Sequence, residues 1–334
     1  MTRTELDAAG ITDRSLRQSY EHCRALNARH GKTFFLATRL LAPDQRPGVH
    51  ALYGFARRAD DIVDDLDARL GTSDRAARLD SLAGQLKTRD VGGDPVLAAV
   101  LHTADRYRIP DHLFDAFLTS MRMDLSVTTY PDRGALDRYV YGSAEVIGLQ
   151  LLPILGTTVP GPEAEPYAAA LGKAFQLTNF LRDVDEDLAR DRVYLPADEL
   201  AVHGVDRELL VWCRRYGKGE PRVRRALADQ HEIARRIYDF ARGGIERLAP
   251  RSRPCVATAL LLYSEILDRI EDSDFEVFGH RATVGTRRRV RVGAEGLVRA
   301  WWARSGRRAD SLSPRRSARR HGNTLREGYG SLPT

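Results

Sequence analysis

The chain has 334 residues, 43% of them hydrophobic, enough for a globular protein with one large core or two domains. Its net charge of +6 is unevenly placed: from Arg287 onward 13 arginines stand against Glu295, Asp310 and Glu327, so that end carries +10 and the first 286 residues carry −4. A basic end on a mildly acidic body argues against nucleic-acid binding by the protein as a whole.

The N-terminus, MTRTELDAAG, lacks the apolar core of a signal peptide. Thr12 is placed to cap a helix reaching about Arg29, and His30-Gly31 breaks it. A second segment, KTFFLATRLL, follows, and Pro47 starts the helix that carries RRADDIVDD. Further helical runs fall at 76–86, 95–107, 112–123, 136–152, 166–189, 208–216, 221–248 and 255–270. Pro221 suits a first helical turn, where a missing N–H costs nothing. Few runs alternate as strands do, and neither GxGxxG nor GxxxxGK[ST] occurs. The pattern predicts an all-α single domain over 1–290 and a basic, mobile tail over 291–334. Cys23, Cys213 and Cys255 are odd in number and form no CxxC pair, which points to a reducing cytoplasm. The longest apolar run, 146–155, is interrupted by Gln150 and Pro153 and is too short to span a bilayer.

Acidic clusters occur twice. At 100° per residue, Tyr53, Arg57, Asp60 and Asp64 fall on one stripe at i, i+4, i+7 and i+11, apart from an apolar stripe of Leu52, Phe55, Ala59, Ile62, Val63 and Leu66. Asp61, Asp65 and Arg58 occupy a third sector. In AFQLTNFLRDVDED, Gln176, Asn179, Asp183 and Asp187 form a polar stripe beside an apolar seam of Leu177, Leu181, Val184 and Leu188. A single DxxxD is usually a solvated helix face. Two of them, each flanked by arginine and one preceded by QxxN, favour a site for a hard cation. Mg²⁺ takes one or two carboxylates and fills its other positions with water and phosphate. Arg57, Arg182 and Arg192 can take phosphate oxygens.

HGKTFFLATRLL, YGFARRADDIVDD, YVYGSAEVIGLQLLPILG, FQLTNFLRDVDEDLARDRVYLP and LLYSEILDRIEDSDFEVF stand in order between His22 and Arg281. Together they resemble the squalene/phytoene synthase family of trans-isoprenyl diphosphate synthases, and its bacterial phytoene-forming members above all. The resemblance implies a single-domain isoprenoid-synthase-type helical bundle around a central cavity. It implies Mg²⁺-dependent 1′–1 condensation of two geranylgeranyl diphosphates, with two or three ions and Mn²⁺ as a substitute. Carried over residue by residue, it makes Asp60, Asp64, Asn179, Asp183 and Asp187 metal ligands. It makes His30, Thr33, Phe34, Thr38, Tyr53, Arg57, Tyr139, Ser143, Gly148, Gln176, Arg182, Arg192, Tyr194 and Tyr263 substrate contacts. Tyr53 and Arg57 join the four aspartates as catalytic residues, and the small Gly142, Ser143, Ala144 and Gly148 are read as room for prenyl chains.

Two residues depart from the family pattern, which often has glycine at Glu145 and at Asp185. A buried Glu145 needs a partner, whereas Asp185 lies off the metal stripe. Squalene-forming relatives use NADPH; no nicotinamide cofactor is expected here. The alternatives are a squalene or dehydrosqualene synthase acting on farnesyl diphosphate, and a non-catalytic helical scaffold, which would be expected to lose its aspartates. Prenyl diphosphates, downstream carotenoid enzymes and the inner face of the membrane are the expected partners. The last is read from Trp301, Trp302, Leu297 and Val298 among arginines.

Overall fold

The computed structural model describes residues 3–64 and 71–310, and of residues 301, 302 and 304–310 the backbone only. The described residues form helices, with two isolated bridges, Thr129 to Val193 and Thr157 to Leu248, and no strand. In chain order the helices are α1 (Arg3–Ala8), α2 (Arg14–His30), α3 (Lys32–Thr38), α4 (Arg46–Val63), α5 (Thr72–Thr88), α6 (Pro95–Tyr107), α7 (Asp111–Met123) and α8 (Arg133–Val140). They continue as α9 (Val146–Leu155), α10 (Gly161–Arg182), α11 (Val184–Ala189), α12 (Ala197–Val202), α13 (Arg207–Tyr216), α14 (Pro221–Arg242), α15 (Arg253–Asp272) and α16 (Thr286–Asp310).

Local chemistry sets the ends. Asp13, not Thr12, caps α2: its Oδ1 accepts the Leu16 N–H at 2.7 Å. Asp94 caps α6 ahead of Pro95, and Pro221 opens α14 as its sequence position leads one to expect. Two expected helices are broken. The run over 166–189 divides at Asp183, whose N–H still bonds the Asn179 carbonyl at 2.8 Å. The run over 136–152 is interrupted by a π-turn, Tyr141–Glu145, between α8 and α9.

Two apolar clusters make the core. One joins α1, α2, α4, α5, α6, α7 and one face of α9, with Phe55 fully buried between Phe114 and Phe117 at 5.5 and 5.6 Å. Truncating such a ring to alanine costs about 3–5 kcal/mol. The other gathers α8, α10, α11, α13, α14 and α15 around Leu177, Leu181, Tyr238 and Leu267. A third, smaller cluster joins α3, α9, α10, α15 and α16.

Glycine sets how closely the central helices approach. A β-carbon on Gly142 would lie 2.3 Å from the Ala116 carbonyl oxygen, and one on Gly148 would lie 2.2 Å from that of Ala168. These glycines press α9 and its π-turn onto the main chains of α7 and α10. Their small size is thus required by helix packing. The segment marked off from 291 by its charge begins inside α16. There Val292 and Ala300 are fully buried, and Gly293 and Gly296 face Leu36 of α3 and Leu40 just after it. Residues 311–334 and the side chains of Trp301 and Trp302 lie outside the described residues.

Candidate active site

The first acidic motif occupies the C-terminal end of α4. Arg57 Nη1 donates to Asp60 Oδ2 at 2.9 Å and its Nη2 to Asp61. Asp64 closes the helix, its N–H on the Asp60 carbonyl at 2.9 Å. Its carboxylate meets Arg190 at 3.2 Å and Arg192 at 3.9 Å, residues that follow the second motif. The two acidic motifs therefore face each other across one mouth. Asp65 lies outside the described residues.

The break after α10 presents the second motif. Arg182 forks onto Asp183 at 2.7 and 2.5 Å, and Arg281, from the segment after α15, adds a third bond at 2.8 Å. Asp187 has no arginine at bonding distance among the described residues. Burial first, then the charge of Asp183, pushes its carboxyl up to about 7. Burial and the Asp64 charge also raise Asp60. Asn179 donates to Gln176 at 3.4 Å, while its buried Oδ1 has no partner.

Aromatic rings pack next to this end, Tyr263 lying close to Arg182, Tyr53 and Asp183. Phe34 of α3, Phe175 of α10 and Tyr263 of α15 form one group, with Tyr263 at 5.2 Å from Phe34 and 4.4 Å from Phe175. Burial lifts the Tyr263 hydroxyl to about 12 against the pull of Arg182. Tyr53 packs on the Gly31 backbone: a β-carbon there would lie 2.6 Å from the Tyr53 ring. This brings exposed His30, the last residue of α2, and half-buried Thr33, in the first turn of α3, close to Tyr53. Thr38 is buried, its hydroxyl donating to the Phe34 carbonyl at 2.7 Å. Phe35 instead pairs with His50 at 5.7 Å under Arg24, as ordinary packing.

Tyr139 belongs to a second group, packed at a tilt against Tyr194, Phe180 and Tyr130, with Phe180 and Tyr194 stacked on each other. Its hydroxyl donates to Asp124 at 2.8 Å, and that of Tyr194 does so at 3.2 Å. Burial raises the Asp124 carboxyl to about 6 despite these bonds and nearby Arg192. Arg192 also donates to the Asp124 carbonyl at 2.9 Å, tying this group to the mouth. Asp124 and Arg281 were not legible in the sequence: one is a lone acid at a helix end, the other sits in a segment without periodicity. Ser143 Oγ is buried without a partner. Glu145 is 3.9 Å from Lys173, which pairs more closely with Asp137 at 2.7 Å, and burial raises the Glu145 carboxyl against the pull of Lys173. Asp185 is tied to Arg214 at 3.4 Å, off the mouth.

Among the described residues no three His, Cys or acidic side chains converge as a ready-made metal cage. The donors nonetheless fit Mg²⁺, which needs only one or two carboxylates per ion when phosphate and water complete the shell. The unpartnered Asn179 Oδ1 is a further hard oxygen at the same mouth.

Comparison with known proteins gives the same direction. The squalene/phytoene synthase family profile matches residues 27–289. Phytoene synthase of Arthrospira platensis is 37% identical over 283 residues, covering 80% of this chain and 89% of that protein. The 15-cis-phytoene synthase of Synechococcus elongatus is 36% identical over 290 residues, covering 83% and 91%. A crystal structure of a dehydrosqualene synthase superposes with a TM-score of 0.74 at 26% identity, covering 88% of this chain and 98% of the other.

Proposed function

The chain belongs to the squalene/phytoene synthase family, and we propose that it is a prenyltransferase that makes 15-cis-phytoene from two geranylgeranyl diphosphates. The observation that carries the reading is the meeting of the two acidic motifs, Asp64 against Arg190 and Arg192, next to a cluster of packed rings. Relatives named phytoene synthase, at 36–37% identity, favour the C20 substrate over the C15 alternative.

Asp60, Asp64, Asn179, Asp183 and Asp187 would hold Mg²⁺, which when bound neutralises the diphosphate and makes it a leaving group. Arg57, Arg182 and Arg192 bind phosphate oxygens, with Gln176, His30 and Thr33 at the same mouth. For Arg57 and Arg182 this exchanges an aspartate for a phosphate. Departure of diphosphate from one donor leaves an allylic cation at its C1. The C2–C3 double bond of the acceptor attacks that carbon, and loss of one proton closes a cyclopropane. The second diphosphate then leaves, the carbon skeleton rearranges, and loss of a second proton gives a C40 hydrocarbon with a conjugated triene at its centre. The faces of Tyr53, Phe34, Phe175 and Tyr263 stabilise the cations, in a space from which packed rings exclude water. Tyr139, its hydroxyl committed to Asp124, presents a fixed ring edge at the second group.

The basic C-terminal residues support peripheral membrane contact, since indoles and arginines favour an anionic interface. Because α16 is packed on α3 and α15, a truncation that tests this must fall after Asp310 and not before the helix. The reaction itself is tested by competition between C20 and C15 diphosphates with Mg²⁺. Excess C40 hydrocarbon is expected; C30 product in excess would make the C15 reading the correct one.

A further inference from the structure

Helix α3 is held between two layers. On one face Phe34 packs against Phe175 and Tyr263, with ring centres at 6.0 and 5.2 Å, and Thr38 stands one turn further along. At 100° per residue Leu36 lies about 200° round the helix from Phe34. That opposite face meets α16. A β-carbon on Gly293 would lie 3.1, 3.2 and 3.4 Å from Leu36 Cδ1, Cδ2 and Cγ. One on Gly296 would lie 2.7 Å from Leu40 Cδ1 and 2.8 Å from Thr258 Oγ1. Leu40 and Thr258 are themselves buried, so a side chain added at either glycine must move a neighbour.

Of the three helices, α3 is the one able to yield. It is only seven residues long and follows Gly31. Helix α15 is anchored in the core by Leu260, Leu262, Leu267 and Ile270. Helix α16 runs antiparallel to it, with Arg288 on Glu265 and Gly296 beside Thr258. The Arg288 Nε donates to both oxygens of buried Glu265 at 2.9 and 3.1 Å, and its Nη2 adds a further bond. Buried Val292 and Ala300 hold α16 on either side of the two glycines. Packed interiors transmit strain, so bulk added behind α3 is passed to its front face.

We propose that α16 sets the length of prenyl chain the protein accepts: with hydrogen alone at 293 and 296, α3 sits back against α16 and leaves room in front of Phe34 and Thr38 for a C20 chain. Leu36 and Gly293 are thus positioning residues that act through Phe34 and Thr38. This rests on the reading of Phe34 and Thr38 as chain contacts in the proposed reaction. The family profile matches residues 27–289, so both glycines lie past the motifs that carry the family resemblance.

The test uses the full chain with Mg²⁺ and competing C20 and C15 diphosphates, and reads the ratio of C40 to C30 hydrocarbon. Gly293→Val should lower that ratio about tenfold, the scale on which an apolar pocket discriminates by one methylene. Adding Leu36→Ala to Gly293→Val removes bulk from the same contact and should restore most of the native ratio. Gly285→Ala, with nothing within 4 Å of the added carbon, should leave the ratio unchanged. Should Gly293→Val not fold, Gly293→Ala asks Leu36 for a smaller retreat and should shift the ratio less, in the same direction. A folded, active Gly293 variant that keeps the native ratio, even if destabilised, would overturn the proposal, as would a shift that Leu36→Ala does not relieve. A native chain that makes neither hydrocarbon would bring down the reaction reading and this inference with it. A native chain that makes C40 product while its Gly293 variants keep the ratio would bring down this inference alone.

Discussion

Substituting Gly148 by alanine separates two uses of a glycine on a central helix. A β-carbon there would lie 2.2 Å from the Ala168 carbonyl oxygen and 2.8 Å from its carbon. Close C–H to oxygen contacts rest at about 3.3–3.6 Å, so α9 and α10 must part by roughly 1 Å. Both partners are main chain within helices, so no rotamer change relieves the overlap. Overpacking costs about 1–3 kcal/mol, and this geometry belongs at the upper end. Chemical denaturation should show that loss for Gly148→Ala. Gly84→Ala, in α5 with nothing within 4 Å of the added carbon, should instead gain about 0.5–1 kcal/mol from helix propensity. A Gly148→Ala protein within about 0.5 kcal/mol of wild type, but with altered substrate selectivity, would refute the packing argument and return this glycine to the chain-binding space.

Asp183→Asn should lose most turnover with the fold intact, because it removes a carboxylate that would hold Mg²⁺; Asp61→Asn, off the stripe, should lose much less. Near-native turnover of the Asp183 variant would sink the metal assignment. Thr38→Phe should shift product from C40 toward C30 in mixed-substrate competition, and an unchanged ratio in a folded, active variant would show that Thr38 does not set chain length. The Asp124 carboxyl rises from its ordinary 3.8 to about 6 in the folded state, so its stabilising contribution is complete below 3.8 and is lost as pH rises through 6. At about 1.4 kcal/mol per unit, wild type should lose roughly 3 kcal/mol between pH 3.5 and 7 relative to Asp124→Asn. A difference that does not vary with pH would remove the buried charge from the account.

Helix existence was readable because apolar residues recur at helical spacing over long runs, and the four stripe aspartates were readable because they repeat one turn apart. What was missed arises from contacts distant in sequence. The π-turn at Tyr141–Glu145 adjoins the site where Gly142 meets the α7 backbone. The break at Asp183 leaves the i to i+4 hydrogen bond in place, so local pattern does not mark it. Helix α16 hides in a stretch whose glycines read as loop, yet Gly293 and Gly296 let it lie close on Leu36 and Leu40. Asp124 acquires its role only when Tyr139 and Tyr194 fold over it, and Arg281 only when the segment after α15 returns to Asp183.

The central claim is that the facing aspartate motifs ionise two prenyl diphosphates and join their chains. It is tested most directly by incubating purified protein with geranylgeranyl diphosphate and Mg²⁺ and extracting the hydrocarbon for mass analysis. The account expects a C40 product of phytoene mass, two diphosphates released for each product molecule, and neither after chelation of the metal. Geranylgeraniol alone, or no consumption of substrate by the folded protein, would contradict it.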